Sequence, residues 1–596
     1  MSDIISVNER IDNLRNEMKK SGVDIYIVPT SDFHMSEYVS EYFQCRKYLS
    51  GFTGSAGTLI VTGENAYMYT DGRYFIQAKE ELEGSSITLM RMGDAGVKKE
   101  EELIDEMCKD GGAIGFDGRV VSDIYGKKIC DIAEKHGAAI MYDRDLADIV
   151  WKERPVLEFG PIYSLEEKYT GESVESKIER VRRIMKDNNT SSYVLTSLDD
   201  QAWLYNLRGS DVKCNPVFLS YSIITTDEVI IYTGSDIPKE LSDDNQIRIM
   251  QKPYHSFYDD LSKITGKVMV DLSVSNYLVS RMLSGAEIVD VENPTKKMKA
   301  VKNDTELENI RKCHVWDGVA VTKFMYWLKN NVGKETITEI SAAEYLEKLR
   351  REQGPLKDLS FETISAYGAN AAMMHYSADE KCNVELKPEG MYLVDSGGQY
   401  FEGTTDITRT IVLGPVTEDM KKHFTLVAKG MLNLMNAVFL DGCTGTNLDI
   451  LARGALWKER VDYKCGTGHG VGYMLNVHEG PNNFRWREPQ NSRDKCVLEA
   501  GMVTTDEPGV YIEGEYGIRT ENELICVELE ENEYGKFMGF ETVTYAPIDL
   551  DGIDKKYLEV SDVKMLNDYH RLVWDKVSPY LNEDERAWLK GYTKEI

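Results

Sequence analysis

Two carboxylate-bearing turns and one glycine-flanked histidine are the residues in this chain best suited to act together. "VDSGGQYFEGTTD", residues 394–406, sets Asp395 and Asp406 on either side of a glycine-rich turn. Further on, "GMVTTDEPGVYIEGEYGIRTENE" (501–523) opens on Gly-Met, like the "GMYLVD" that ends at Asp395, and carries Glu507 and Glu521 around a "YIEG" turn. Side chains alternate faces along a strand, so folding each segment back on itself brings its two acids onto neighbouring strands. Four carboxylates converging without counter-charge repel, and their pKa values rise until some are neutralised. One cation relieves that conflict, and two relieve it better.

"CGTGHGVGYMLNVHEGP" (465–481) supplies His469 between glycines and His478 beyond it. Of the nine histidines, His375, His423, His469 and His478 fall between 375 and 478. Four acids and one imidazole make a mainly oxygen shell, which suits Mn²⁺ better than a sulfur-rich zinc site would, with Zn²⁺, Co²⁺ and Fe²⁺ as alternatives. Two such ions about 3.5–4 Å apart share a water and make it a hydroxide near neutral pH. The chemistry this implies is hydrolysis. Taken singly, each piece has a plainer reading. An aspartate beside glycine is ordinarily a turn residue. "GTGHGVG" lacks the GK[ST] ending of a phosphate loop, and "GFTGSAG" (51–57) reads as a tight turn. The combination within one stretch of chain carries the reading.

Several elements must hold these residues. "ERIDNLRNEMKKSG" has helical spacing and stops at a glycine, and "VDIYIVPTSD" is a short β-rich run. "GTLIVT" and "AYMYTDGRYF", split by Gly-Glu-Asn, predict a hairpin or adjacent strands. After a proline- and glycine-punctuated break at 153–161 the order recurs: "KIERVRRIMKDNN" is amphipathic, and "SSYVLTSLDDQAWLYNLRG" resembles the earlier strand and turn. A second break falls at 291–304, where Asn303 with Glu306 predicts a capping box. Two long helices follow, the second from Thr336 to the Gly354-Pro355 stop. From about 360 to 545 the pattern reads mostly as strands and turns. The last stretch returns to helix, with Trp574 and Trp588 as apolar anchors.

At 596 residues the chain exceeds one core, so three or four domains are expected. The division read from the breaks is 1–155 and 156–300, two related α/β domains, then 301–545 and a C-terminal helical extension, 546–596. Lys and Arg number 70 against 100 Asp and Glu, a net charge of −30. No basic field exists to meet phosphates, so nucleic acid is not an expected partner. No uncharged apolar run reaches membrane-spanning length, so no membrane is expected either. The charged N-terminus lacks a signal-peptide core, and the ten cysteines stand singly, which reads as reduced core residues of a cytoplasmic protein.

The segments around the acids resemble the pita-bread metallopeptidases, the family of methionine aminopeptidase, prolidase and aminopeptidase P. That family's five-ligand pattern maps in order onto "VDSGG" (Asp395), "TTDITRT" (Asp406), "GTGHGVG" (His469), "DEPG" (Glu507) and "IRTENE" (Glu521). "GSAGTLIVTGENAYMYTDGRYFIQA" and "NVHEGP" are similar to the three-domain cytosolic aminopeptidase P subgroup, so the likeness spans essentially the whole chain. The resemblance implies a multidomain α/β and α+β architecture: two related N-terminal α/β domains, then a pita-bread catalytic domain whose own two halves echo one another. It implies a metal-dependent aminopeptidase that hydrolyses the N-terminal Xaa-Pro bond of peptides, with a prolidase-type dipeptidase or a non-catalytic binding protein on the same fold as alternatives. Asp406 and Glu521 would bridge two divalent ions, with Asp395 on one and His469 and Glu507 on the other. His375, in "AAMMHYSA", and His478 match histidines that bind substrate and assist proton transfer, and Arg519 would orient a carboxylate within the substrate site. A homodimer supported by the tail is also implied. One position departs from the pattern: Cys465 stands four residues before His469, where cytosolic relatives look to have histidine. A thiol does not replace imidazole as a proton carrier at neutral pH without a shifted pKa.

Overall fold

The structure, a computed structural model, describes residues 6–239, 241, 247–380, 382–489, 493 and 495–596. The chain divides into two units: Met1–Leu165 with Glu172–Thr295, and Glu166–Gly171 with Lys296–Ile596. Among the described residues no helix is long and apolar enough to cross a membrane.

The first unit holds two sheets of one design. Helix α1 (Val7–Ser21) starts at a Ser6–Glu9 capping box and buries Ile11, Leu14 and Met18 at helical spacing. It leads into β1 (Ile25–Pro29), followed by β2 (Thr58–Thr62), β3 (Ala66–Thr70), β4 (Ile87–Arg91), β5 (Ala113–Phe116) and β6 (Ala139–Met141), in sheet order β4-β3-β2-β1-β5-β6. Helix α2 (Val174–Asp187) leads in the same way into β7 (Ser192–Leu195). Then come β8 (Ser220–Thr225), β9 (Glu228–Thr233), β10 (Arg248–Pro253), β11 (Gly266–Val270) and β12 (Ala286–Asp290), in order β10-β9-β8-β7-β11-β12. In both sheets the central strand pairs antiparallel on one side and parallel on the other. The echo between "VDIYIVPTSD" and "SSYVLTS" is thus a repeated topology, and the expected β2–β3 hairpin is present.

The second unit opens with α3 (Asp304–Asn331), started by the expected Asn303–Glu306 capping box. Helix α4 (Glu339–Gln353) begins three residues later than Thr336, because the Thr338 hydroxyl accepts from Ser341 N–H and ends the helix there. Strands β13 (Ile364–Tyr367), β14 (Met391–Ser396) and β15 (Ile407–Val412) form an antiparallel sheet around β14. Phe324, Leu328, Leu346 and Leu349 of the two helices pack with Tyr392, Val394, Ile407 and Ile411 in one core.

The next segment, expected to be mostly strands and turns, carries more helix than that. It holds two full helices, α5 (Glu418–Met435) and α6 (Gly445–Lys458), ahead of β16 (Val503–Asp506), β17 (Gly509–Ile512), β18 (Tyr516–Arg519), β19 (Asn522–Asn532) and β20 (Gly535–Thr542). Residues 424–435 of α5 are buried on almost every side, so no polar stripe marks the helical period. Two helices followed by an antiparallel sheet therefore occur twice. Helices α7 (Val560–Val577) and α8 (Glu583–Tyr592) close the chain, with Trp574 and Trp588 against the second core as expected. All ten cysteines are free thiols; five are buried, four are half-buried and Cys382 is exposed, so the core assignment holds only for the first five.

Candidate metal centre

Asp395 is the penultimate residue of β14, opposite Thr408 of β15, and Asp406 immediately precedes β15. The two aspartates are therefore diagonal neighbours rather than direct partners. The return segment can pass this closely only because residue 397 is glycine: a Cβ there would lie 1.8 Å from the Thr405 carbonyl oxygen. In the second sheet, the register that pairs Asp506 with Asn522 and Gly509 with Arg519 sets Glu507 across from Glu521, in the gap between the two ladders.

Hydrogen bonds join the two hairpins. Glu521 N–H donates to Thr408 O (3.1 Å), and the Thr408 hydroxyl to Glu521 Oε2 (2.6 Å). Asp406 N–H donates to Glu523 Oε1 (2.6 Å), an acceptor that sequence reasoning missed although it stands two residues from Glu521 on the same strand face. Behind Glu523, His314 of α3 places Nε2 3.0 Å from Oε1. Arg519 donates to Asp395 Oδ2 (2.5 Å), the Thr408 hydroxyl (3.1 Å) and the Tyr511 hydroxyl (2.6 Å).

His469 reaches the acids from the two-residue strand Gly468–His469, paired with Asn483–Phe484 in the segment between α6 and β16. Its neighbour Gly468 has no room for a Cβ, which would lie 1.8 Å from Thr505 O. The stretch leading to it is fixed by the buried Asp449–Arg453 pair of α6: the Thr467 hydroxyl donates to Asp449 (2.5 Å), and Arg453 to the carbonyls of Tyr463 and Cys465. His469 Nδ1 lies 3.0 Å from Gly470 O, so that nitrogen carries a proton and Nε2 is the one turned to the acids. Nε2 faces Asp406 Oδ2 at 3.5 Å and Glu507 Oε1 at 3.3 Å. Three potential ligand atoms meet there, an arrangement that a cation would hold together.

The electrostatics agree. Burial, then the Glu521, Asp395 and Glu507 charges, drive the Asp406 carboxyl well above the usual carboxylate range. Burial, then Glu507 and Asp395, does the same to Glu521. Glu507 is pushed up to about 7, chiefly by burial, with the Arg519 charge opposing and Asp395 adding. Asp395 is 8 % exposed, yet its Oδ1 accepts no hydrogen bond. A ring of buried acids with an imidazole nitrogen turned to it fits a divalent metal, and Asp406, His469 and Glu521 can offer one ligand atom each within 4.8 Å of one another.

The remaining sequence-predicted residues lie around this cluster. The His478 ring stands edge-on to His469, centroids 4.2 Å apart. Its loop is held by the next residue, Glu479, which is buried and paired with Lys302 (2.5 Å) and Lys299 (3.6 Å), while Glu479 N–H donates to Gly470 O (2.7 Å). His375 is half-buried in the turn after Gly368–Ala372, and the carbonyl of its neighbour Met374 lies 3.4 Å from Arg519 Nη2. Cys465 is half-buried against the second core. His423, on α5, lies outside the cluster with Nδ1 2.9 Å from the Tyr516 hydroxyl.

A two-half fold of this kind, with acids from both hairpins and one imidazole, defines a metallopeptidase of the pita-bread class. The chain belongs to metallopeptidase family M24, whose family model matches residues 308–528. Creatinase/Prolidase N-terminal domains match 10–126 and 153–306, and the C-terminal region of peptidase M24 matches 536–596. The chain is 38% identical to a probable Xaa-Pro aminopeptidase P of Paracoccidioides brasiliensis, with 100% of both chains covered. It is also 38% identical to one of Coprinopsis cinerea, with 99% of both covered. Among solved structures it is similar to the X-prolyl aminopeptidase of Caenorhabditis elegans, described as a cytosolic enzyme with a di-nuclear active site. The TM-score is 0.93 and the identity 33%, covering 99% of this chain and 100% of that one.

Proposed function

We propose that this protein is a metal-dependent Xaa-Pro aminopeptidase, removing the first residue of peptides that carry proline second. The observation that carries the reading is the contact of His469 Nε2 with Asp406 and Glu507 inside a buried ring of acids. Asp406 and Glu521 would be shared by two ions, Asp395 would serve one, and His469 and Glu507 the other. Mn²⁺ is the expected metal for this oxygen-rich set, ahead of Zn²⁺ and Co²⁺. When bound, the ions supply an activated water and polarise the scissile carbonyl. Arg519 holds Asp395 in line, and Glu523 and Thr408 hold the Asp406 backbone and the Glu521 carboxylate. The Xaa–Pro bond is a tertiary amide with no N–H, so recognition falls on its carbonyl and on the ring. As that C–N bond breaks, the proline nitrogen gains a proton, and His375 and His478 are the residues assigned to hold substrate and to carry it.

The decisive experiment is a metal-reconstituted assay on Xaa-Pro, Xaa-Pro-Yaa and Xaa-Ala-Yaa peptides. Metal-dependent cleavage of Xaa-Pro-Yaa is expected. Cleavage of the dipeptide alone would make it a prolidase, and equal cleavage of the alanine series would end the reading. The protein is also proposed to be cytoplasmic and homodimeric, with the tail supporting the dimer; a monomeric mass in light scattering would remove the latter. Domain limits near 155, 300 and 545 are part of the same proposal, and limited proteolysis cutting elsewhere would move them.

A further inference from the structure

The loop that carries His375 is tied to a buried acid outside the metal cluster. Glu339 is the first residue of α4, and its side chain is 0 % exposed. Its Oε1 accepts from Tyr367 N–H (2.7 Å) and Asn370 Nδ2 (3.0 Å). Its Oε2 accepts from Val384 N–H (3.0 Å) and lies 2.8 Å from the Tyr376 hydroxyl, a donor that prefers this carboxylate to the Cys382 carbonyl also within reach. The backbone of Glu339 adds two bonds, N–H to Val384 O (3.0 Å) and O from the Ser365 hydroxyl (2.6 Å). One residue thus fastens both ends of the 367–384 loop and the position next to His375.

Among the described residues no cationic side chain pairs with Glu339. The α4 N-terminus and converging N–H and O–H donors offset its charge. A buried carboxylate without a cationic partner is costly to keep, and an apolar residue would serve a purely structural contact better. What a carboxylate offers here is several acceptor sites at one point, all aimed at a single loop.

We propose that Glu339 is a positioning residue for His375: its carboxylate locks the 367–384 loop so that the imidazole is held against the substrate bond. This rests on the substrate role given to His375 above. Catalytic groups tolerate little displacement, and an error of about 1 Å costs on the order of 10²-fold in rate.

The test compares Glu339→Gln, His375→Ala and the double variant in the metal-loaded, full-length protein. Glu339→Gln keeps the shape but turns one acceptor into an N–H₂ that faces N–H donors. Expected are unchanged metal content, a fall of about 10- to 100-fold in kcat/KM, and faster hydrogen exchange at Tyr367 and Val384. In the His375→Ala background the same substitution should cost less than about threefold, since residues acting as a unit are not additive. Near-wild-type kcat/KM for Glu339→Gln, or its full cost persisting without His375, overturns the proposal. A harmless His375→Ala would instead overturn the role of His375, while faster exchange in Glu339→Gln would still report the lock. Should Glu339→Gln not fold, Tyr376→Phe removes one donor alone; a several-fold loss that vanishes in the His375→Ala background is expected, and no loss overturns the lock.

Discussion

The hairpin of Asp395 and Asp406 and that of Glu507 and Glu521 bring two carboxylates each to one cluster with different geometry. In the first, the acids sit at offset positions of β14 and before β15, and both are aspartates. In the second they face each other across a break between ladders, and both are glutamates, one methylene longer. Each hairpin also depends on the other. Arg519 and Glu523, from the second, hold Asp395 and the Asp406 backbone, while Thr408, from the first, holds Glu521. Neither half makes a site alone, so the duplication yields a metal centre only when the halves meet.

The largest way to break this symmetry is to remove a carboxylate assigned to both ions. Asp406→Ala or Glu521→Ala should lose bound metal and bring activity to assay background, read by elemental analysis and peptide hydrolysis together. Full activity in either would sink the ligand assignment.

The crossing contacts come next. Arg519→Lys cannot reproduce the guanidinium's simultaneous bonds to Asp395, Thr408 and Tyr511, and Glu523→Gln weakens the acceptor for Asp406 N–H. Each should lower metal affinity or activity by about 10- to 100-fold. If only one does so, the exchange of partners is one-sided.

Proton linkage gives a milder effect. In the metal-free protein the folded-state pKa of Glu507, about 7, and those of Asp406 and Glu521 lie above their unfolded values. The folded state therefore binds more protons, so the stability these groups contribute is complete below about pH 4 and is lost as pH rises through 7. Metal reverses that loss. Added Mn²⁺ should raise Tm more at pH 8 than at pH 5 and release protons, measurable by calorimetry in two buffers. Equal shifts and no release would contradict the carboxylate cluster.

The smallest test concerns the scaffold. Asn303 caps α3 in the first half and Thr417 caps α5 in the second. Alanine at either should cost about 1 kcal/mol in denaturant unfolding with kcat unchanged. A change in kcat at one cap only would show that one half is more tightly coupled to catalysis.

Much of this was legible in the chain. The acids stand beside glycines that admit a close return, and the Asn303 cap and α1 follow local rules that short segments obey. Helix α5 was not legible, because the helical period disappears when a helix is apolar nearly all round. Glu523 and Glu339 were not legible either. Each looks like any other glutamate in sequence, and only burial against donors from distant segments turns it into an anchor.

The sequence by itself determined which residues could bind metal, because ligand chemistry belongs to side-chain type, and it determined the repeated helix–strand order through local periodicity. The tertiary structure decided which acids meet, which histidine nitrogen faces them and which carboxylates are given over to positioning. Those outcomes depend on contacts between residues far apart in the chain, and on the removal of water that makes an unmatched charge expensive.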